Sequence, residues 1–500
     1  MRGHNDSGPL ALNFPIENDG NFRSTLRNTL NQNKELFEIR SKANKNAHYL
    51  SPTTQNEIIN SCQLVILNKI VSDINKSQCF SILADVTADV SGIEQFSLSA
   101  RFIKENIIVE SFLLFVPVSS TTGLLVIIDT LKSIGIDLKY LKGQGYDGAA
   151  CMSGKFNGVQ QLIKNHYPQA SYVHCSAHSF NLVVSISCAM PSIRNAMKLY
   201  PAIISSLEIL SDDSDRETSS KASNLLIFIQ DFQFLTSLHI INKIFGISIV
   251  FCKVLQKTQI DLGEALTYAT HLSPEPKKIR DNADNKFKII FNQILNLSEK
   301  YNITIKIPRL SKKQVHRNNI PCNDTETYYK IAIFIPFLDT FLQSIEDRFE
   351  NHKHIFTGFQ CIINFENEIN INDVEKLTEF YKEDLEDIKQ VYEEVEMWHS
   401  FLKTINKPNN ILEYLDVCDS LIFPNVYKLI KILVTLPVTT CTAERSFSTL
   451  RRLKTYLRNT MSQNRLNGLA LLNIHREITV TPEEVLNQIT KTKKKLDFVI

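Results

Sequence analysis

The sequence predicts an α/β protein in which a mixed sheet is interrupted by a large all-helical insertion. Three observations carry this expectation. Between residues 80 and 118, three short runs are rich in β-branched and aromatic residues or alternate in polarity. From 124 to 188, helical runs alternate with strand-like ones. From about 194 to 436 the chain reads helical almost throughout. Composition agrees. Only 15 of 500 residues are glycine, which disfavours propellers and glycine-rich dinucleotide folds. Hydrophobic residues at 43% and charged residues at 22% exclude a mainly disordered or collagen-like chain. The length suggests two or three units, or one core with a large insertion.

Taken in order, residues 1–76 form a polar, helical segment in which Ile58, Ile59, Cys62, Ile66 and Ile70 recur at helical spacing. Phe80 to Asp85 is an apolar run ending in an acid. Gln95 to Ile103 alternates, and Ile107 to Val118 is β-branched and aromatic. These read as three strands joined by short polar turns. Leu124 to Ile134 reads as a helix and Tyr140 to Tyr146 as a fourth strand. Ser153 to His166 reads as a helix capped by Ser153, Tyr172 to Cys175 as a fifth strand, and Ala177 to Cys188 as another helix. Three consecutive strands can form an antiparallel meander, whereas strands separated by helices add in parallel through crossovers. That order is the topology of ribonuclease H-like folds. The division expected is 77–193 for the first part of the core, 194–410 for the helical insertion, 411–480 for a C-terminal region and 481–500 for a basic tail. Loops are expected within the insertion near 209–221, 271–285, 308–326 and 404–410. Residues 373–396 carry ten acids and three lysines, which read as a solvated acidic helix face.

The 55 basic and 53 acidic side chains nearly cancel, so a nucleic-acid surface must be a local patch. Such a patch lies at 445–476, with seven Lys or Arg and no acid. The ten cysteines form no Cys-x-x-Cys pair, which points to a reducing compartment. The polar N-terminus carries no secretory signal, and the apolar stretches are too short to span a bilayer. No membrane partner is expected, and the location expected is nuclear or cytoplasmic.

Several residues are candidates for chemistry. Asp85 ends the first strand and Asp147 the fourth, so their carboxylates would converge at one sheet edge. Two such carboxylates with a third acid can hold two Mg²⁺ ions, which are hard cations that take oxygen ligands. The alternative is that Asp85 caps a strand and Asp147-Gly148 is a turn. His174-Cys175-Ser176-Ala177-His178 places Cys and His close together, but zinc needs four ligands and no partner pair stands out. A strand-to-helix turn or a phosphate-contacting His fits better, so no structural zinc is expected. Thr439 to Thr442 mark a helix start with Glu444 in its first turn, where the helix dipole favours an acid. Phe447, Leu450, Leu453 and Leu457 form an apolar stripe, flanked by Arg445, Arg451, Arg452, Lys454 and Arg458.

Four ordered motifs resemble those of hAT-type transposases, including their transposon-derived zinc finger MYM-type-like members. They are Phe80 to Ile103 with Asp85-Val86-Thr87-Ala88-Asp89; Gly145 to Gly154 around Asp147; Cys175 to Leu182, similar to the family's Cys-x-x-His motif at Cys175 and His178; and Cys441 to Arg476, similar to the hAT C-terminal dimerisation region. The resemblance implies a ribonuclease H-like core and carries the family's three metal-binding catalytic acids onto Asp85, Asp147 and Glu444, with Mg²⁺ or Mn²⁺ as cofactor. It implies cut-and-paste DNA strand transfer, DNA contacts from His178, Arg445, Arg451, Arg452, Lys454 and Arg458, and a homodimer or larger even oligomer. Two departures accompany it. No Cys/His cluster of the family's DNA-reading zinc finger occurs, and the expected Arg-Trp segment is missing near 211–222, where the sequence is Ser/Asp-rich. The single tryptophan, Trp398, is expected to pack on its own helix. Two functional readings follow: a Mg²⁺-dependent transposase core that cuts DNA, or a catalytically inactive domesticated transposase acting as a dimerising nucleic-acid- or protein-binding regulator.

Overall fold

A computed structural model describes residues 10, 19–42, 50–118, 123–146, 159–174, 181–255, 274–308, 322, 324–350, 353–366, 369–438 and 440–491. The chain forms two compact units, one from the residues up to Lys69 with those from Leu453 onward, the other from Ile70 to Arg452. It enters through helices α1 (Asn21–Gln32), α2 (Lys34–Lys42) and α3 (Pro52–Ser77). Ser51 starts α3: its Oγ accepts the Thr54 N–H at 3.1 Å, and Pro52 occupies the first turn, where a missing N–H costs nothing.

The sheet belongs to the larger unit. Strands β1 (Phe80–Ala88), β2 (Glu94–Lys104), β3 (Ile107–Val118), β4 (Leu141–Tyr146) and β5 (Ser171–His174) lie in the order β3-β2-β1-β4-β5. The first three pair antiparallel; β4 pairs parallel to β1, and β5 parallel to β4. The α/β class and the mixed sheet are therefore those the sequence predicts. Each local connection has a chemical cause. Glu105 and Asn106 form a two-residue turn with φ of 51° and 59°, the left-handed pair whose twist matches an antiparallel hairpin. Asp89 holds the β1–β2 turn: its Oδ1 accepts the Ser91 N–H at 2.7 Å and its Oδ2 the Gln95 amide at 3.1 Å. Helix α4 (Gly123–Ser133) precedes β4 and α5 (Val159–His166) precedes β5, as parallel addition requires. The helix expected from Ser153 is described only from Val159; Ser153 lies outside the described residues.

The helical part runs through α6 (Asn181–Ser211), α7 (Arg216–Ile229), α8 (Phe232–Leu255), α9 (Pro274–Asp281), α10 (Ala283–Lys300), α11 (Thr325–Tyr329), α12 (Ile335–Glu350), α13 (Lys353–Ile363), α14 (Ile371–Phe380), α15 (Val391–Leu402), α16 (Ile411–Val417) and α17 (Pro424–Thr435). Its core is aromatic, with Phe232, Phe287, Tyr329 and Trp398 fully buried. Trp398 packs within this core as expected. Its indole N–H donates to the Ile362 carbonyl at 3.1 Å, and its ring meets Phe401 and Phe423.

Three expectations for this part are corrected. The loop near 209–221 shrinks to the few residues between α6 and α7, because Asp215 caps α7 by accepting the Thr218 N–H at 3.0 Å. The loop near 271–285 is largely filled by α9 and the start of α10. The acidic stretch 373–396 is not one solvated helix face. It divides between α14 and α15, and two of its acids turn inward. Asp384 pairs with Lys142 of β4 at 2.5 Å. Buried Glu394 accepts the Val426 N–H at 2.7 Å and the Asn425 amide at 2.9 Å, capping α17 from a distance.

The end of α17 returns to the sheet. The Val434 carbonyl accepts from Arg101 of β2, and Thr435 Oγ1 lies 3.1 Å from the Cys79 sulfur. Beyond it, Pro437 lies against β4, where a Cβ on Gly145 would come within 2.8 Å of the ring. Then come α18 (Cys441–Leu453), α19 (Gln463–Ile474) and α20 (Pro482–Thr490). Helix α20 begins with a Thr481–Glu484 capping box, and Glu484 also pairs with Lys69 of α3 at 2.7 Å. Among the described residues, no single helix is long and apolar enough to cross a membrane.

Candidate functional site

The site is built on one row of the sheet. Asp85, 6% exposed, stands opposite Ser97 of β2, and Ser97 stands opposite Phe115 of β3. Asp85 Oδ1 accepts the Val86 N–H at 2.8 Å. Helix α18 packs on the Ser97 and Phe115 positions of this row. Ser446 Oγ lies 2.7 Å from Ser97 Oγ, and the Phe447 ring stacks on Phe115 with centroids 6.4 Å apart. Glu444 is in the first turn of the same helix, two residues before Ser446. It is half-buried, and its Oε1 accepts the Thr440 hydroxyl at 3.3 Å. On the other side of β1, β4 runs parallel with Leu83 paired to Gly145. Asp85 is thus two residues beyond the last residue of β1 that pairs with β4. Asp147 follows Tyr146, the last residue of β4, and lies outside the described residues, as do Cys175 and His178.

A second row, nearer the start of β1, holds charge. Arg101 of β2 pairs with Glu110 of β3, their side chains 1% and 6% exposed and 2.8 Å apart. The other Glu110 oxygen accepts the Thr442 hydroxyl from the first turn of α18. Arg445 donates to that hydroxyl at 2.7 Å. Arg101 also donates to the Val434 carbonyl at 3.2 Å. Sequence reasoning missed this cluster. Its one visible signal is a charged residue at the middle of each of two otherwise apolar or hydroxyl-bearing strands.

The predicted phosphate-contacting residues separate by exposure. Arg445, Arg451, Arg452 and Arg458 are exposed, whereas Lys454 is buried. Arg452 Nη2 donates to Ser448 Oγ at 3.3 Å. Four of the described cysteines are disfavoured as nucleophiles. Burial pushes the thiol of Cys79 up to about 11 and that of Cys418 up to about 12, and raises those of Cys62 and Cys361 as well. Among the described residues, no group of three or more His, Cys, Asp or Glu is placed to hold a metal.

Comparison with known proteins matches both ends of the chain. Residues 2–158 match the model of the ZMYM1/FAM200 RNase-like domain. Residues 387–478 match that of the hAT family C-terminal dimerisation region. The human protein named 52 kDa repressor of the inhibitor of the protein kinase is 24% identical to this chain, over 96% of it and 72% of the relative. Its mouse counterpart is 25% identical over the same shares. The chain is thus similar near its start to the ZMYM1/FAM200 RNase-like domain and near its end to the hAT family C-terminal dimerisation region.

Proposed function

We propose that this chain is a nuclear, DNA-associated homodimer whose sheet is a ribonuclease H-like core retaining the carboxylates of a metal-dependent strand-transfer site. The observation that carries the reading is the β3-β2-β1-β4-β5 order with β4 parallel to β1. In that order β1, which contains Asp85, neighbours β4, which Asp147 follows in the sequence, and Glu444 belongs to the first turn of α18, the helix that packs on β2 and β3 through Ser446 and Phe447. The donor set is all carboxylate, which suits Mg²⁺ or Mn²⁺ and not zinc. The chemistry a bound Mg²⁺ supplies in such a site is activation of the attacking oxygen and charge compensation on the leaving one. Asp85 and Asp147 would hold it from the sheet and Glu444 from the helix. Exposed Arg445, Arg451, Arg452 and Arg458 would take DNA phosphates, joined by His178 of the Cys175–His178 motif.

Nicking of supercoiled plasmid by the purified chain in Mn²⁺ tests the reading. We expect metal-dependent nicking that falls at least about 100-fold in Asp85→Asn while DNA binding is kept, since metal ligation contributes several kcal/mol to such reactions. DNA binding without nicking in the unaltered chain would point instead to a catalytically inactive domesticated transposase acting as a regulator. The likeness to proteins named as repressors over 96% of the chain favours that second reading.

A further inference from the structure

We infer that the Arg101–Glu110–Thr442 cluster is a clamp that sets where α18 starts, making Glu110 and Thr442 positioning residues for Glu444. The inference rests on the metal-site reading for its functional consequence, but not for its structural content.

Its geometry is specific. The chain leaves the sheet face at α17 and re-enters it at α18 through the short linker after Thr435. Arg101 grips the outgoing end through the Val434 carbonyl, with Nε at 3.3 Å and Nη2 at 3.2 Å. The same guanidinium holds one Glu110 oxygen at 2.8 Å. The second Glu110 oxygen takes the Thr442 hydroxyl at the incoming end. One carboxylate and one guanidinium therefore tie two neighbouring strands to both sides of the linker. Each Glu110 oxygen has a named donor, and a charged acceptor strengthens both bonds.

The clamp lies one helical turn or less from Glu444, whose carboxylate accepts the Thr440 hydroxyl. Ser446 meets Ser97 further along the helix. Loss of the Thr442 bond would remove the tie between the first turn of α18 and the Arg101–Glu110 pair, leaving that turn held by packing of residues such as Cys441 and Ala443. Glu444 sits in the turn thus loosened. Buried ion pairs contribute little net stability but penalise alternative arrangements. A positioning role therefore fits this pair better than a stabilising one.

The test uses the full chain and compares Thr442→Val, which keeps the shape and removes the hydroxyl, with Thr442→Ser, which restores it. Amide hydrogen exchange over 441–453 and Mn²⁺ binding followed by electron paramagnetic resonance are the two readouts. We expect Thr442→Val to speed exchange in the first turn about tenfold, in line with loss of one hydrogen bond to a charged group. We expect it to weaken Mn²⁺ binding by a similar factor, with global unfolding midpoints unchanged. Thr442→Ser should restore both. Unchanged exchange in Thr442→Val, or equal effects of Val and Ser, would overturn the clamp. If the unaltered chain binds no Mn²⁺, the metal-site reading fails while the exchange contrast still decides the clamp.

Discussion

Acidic side chains of the same chemistry carry four different duties in this chain. Asp89 organises a turn, Glu110 bridges an arginine and a threonine, Glu394 caps a distant helix, and Asp85 lies within β1, three residues before its end, accepting the Val86 N–H. Sequence distinguishes them poorly, because the duty depends on what tertiary folding brings opposite. Asp85 was legible since it ends an apolar run in a family-like motif, although the strand itself continues to Ala88. Glu394 was not, since it sits in a run of surface acids and its partners lie some thirty residues on. Its burial makes a direct prediction. Glu394→Ala would strand the Val426 N–H and the Asn425 amide in the helical core. We expect a loss of about 2 kcal/mol, the usual cost of unmaking a buried cap to a charged acceptor, read as a lower urea midpoint with an unchanged slope. An exposed neighbour such as Glu393→Ala should move the midpoint by less than about 0.5 kcal/mol.

At the scale of elements, the strands were the most readable part. Their alternation and β-branched content come from local contacts with a half-buried pleat, and the turns carry their own chemistry in Glu105-Asn106 and Asp89. The helices flanked by polar residues were less readable, since α7 and α9 begin in segments whose polarity reads as loop. Their surface faces water, and only a few inward residues such as Ala222 and Ile279 mark them as packed helices. The return of α17 and α18 to the sheet was legible only as motif similarity. The contact that permits it is a missing side chain on β4. Gly145 gives Pro437 room, and Gly145→Ala would force a Cβ to 2.8 Å from the ring. Neither a β4 backbone fixed by two neighbours nor a proline can yield cheaply. We expect a cost of about 1–3 kcal/mol in urea unfolding, with the loss appearing as faster amide exchange in β4. Ordinary stability and exchange in Gly145→Ala would show that the linker is free to lift off the sheet.

For the whole molecule, the question is what the matched dimerisation region leaves for a second copy. Of the apolar stripe read from the sequence, Phe447 and Leu450 are buried within the chain, Leu453 is half-buried and Leu457 is exposed. Other apolar residues of the same region are exposed too. Leu421 and Leu457 are each 91% exposed, Tyr456 is 86% exposed, and Ile422 and Met397 are 59% exposed. Single exposed leucines need no explanation, but apolar side chains this exposed mark candidate contacts, Leu421, Ile422 and Met397 in the larger unit and Tyr456 and Leu457 in the smaller. The basic side chains Arg451, Arg452 and Arg458 are also exposed. A homodimer would carry these exposed arginines twice on one particle, and its DNA affinity would fall steeply with salt through counterion release. Light scattering at about 20 µM should give a dimer for the unaltered chain, because apolar anchors near the centre of an interface dominate its affinity. Leu421→Asp and Leu457→Asp should each shift it toward monomer, while Leu36→Asp, at an exposed leucine outside the matched region, should not. A monomer from the unaltered chain, or dimers that survive both aspartates together, would place the interface elsewhere or remove it.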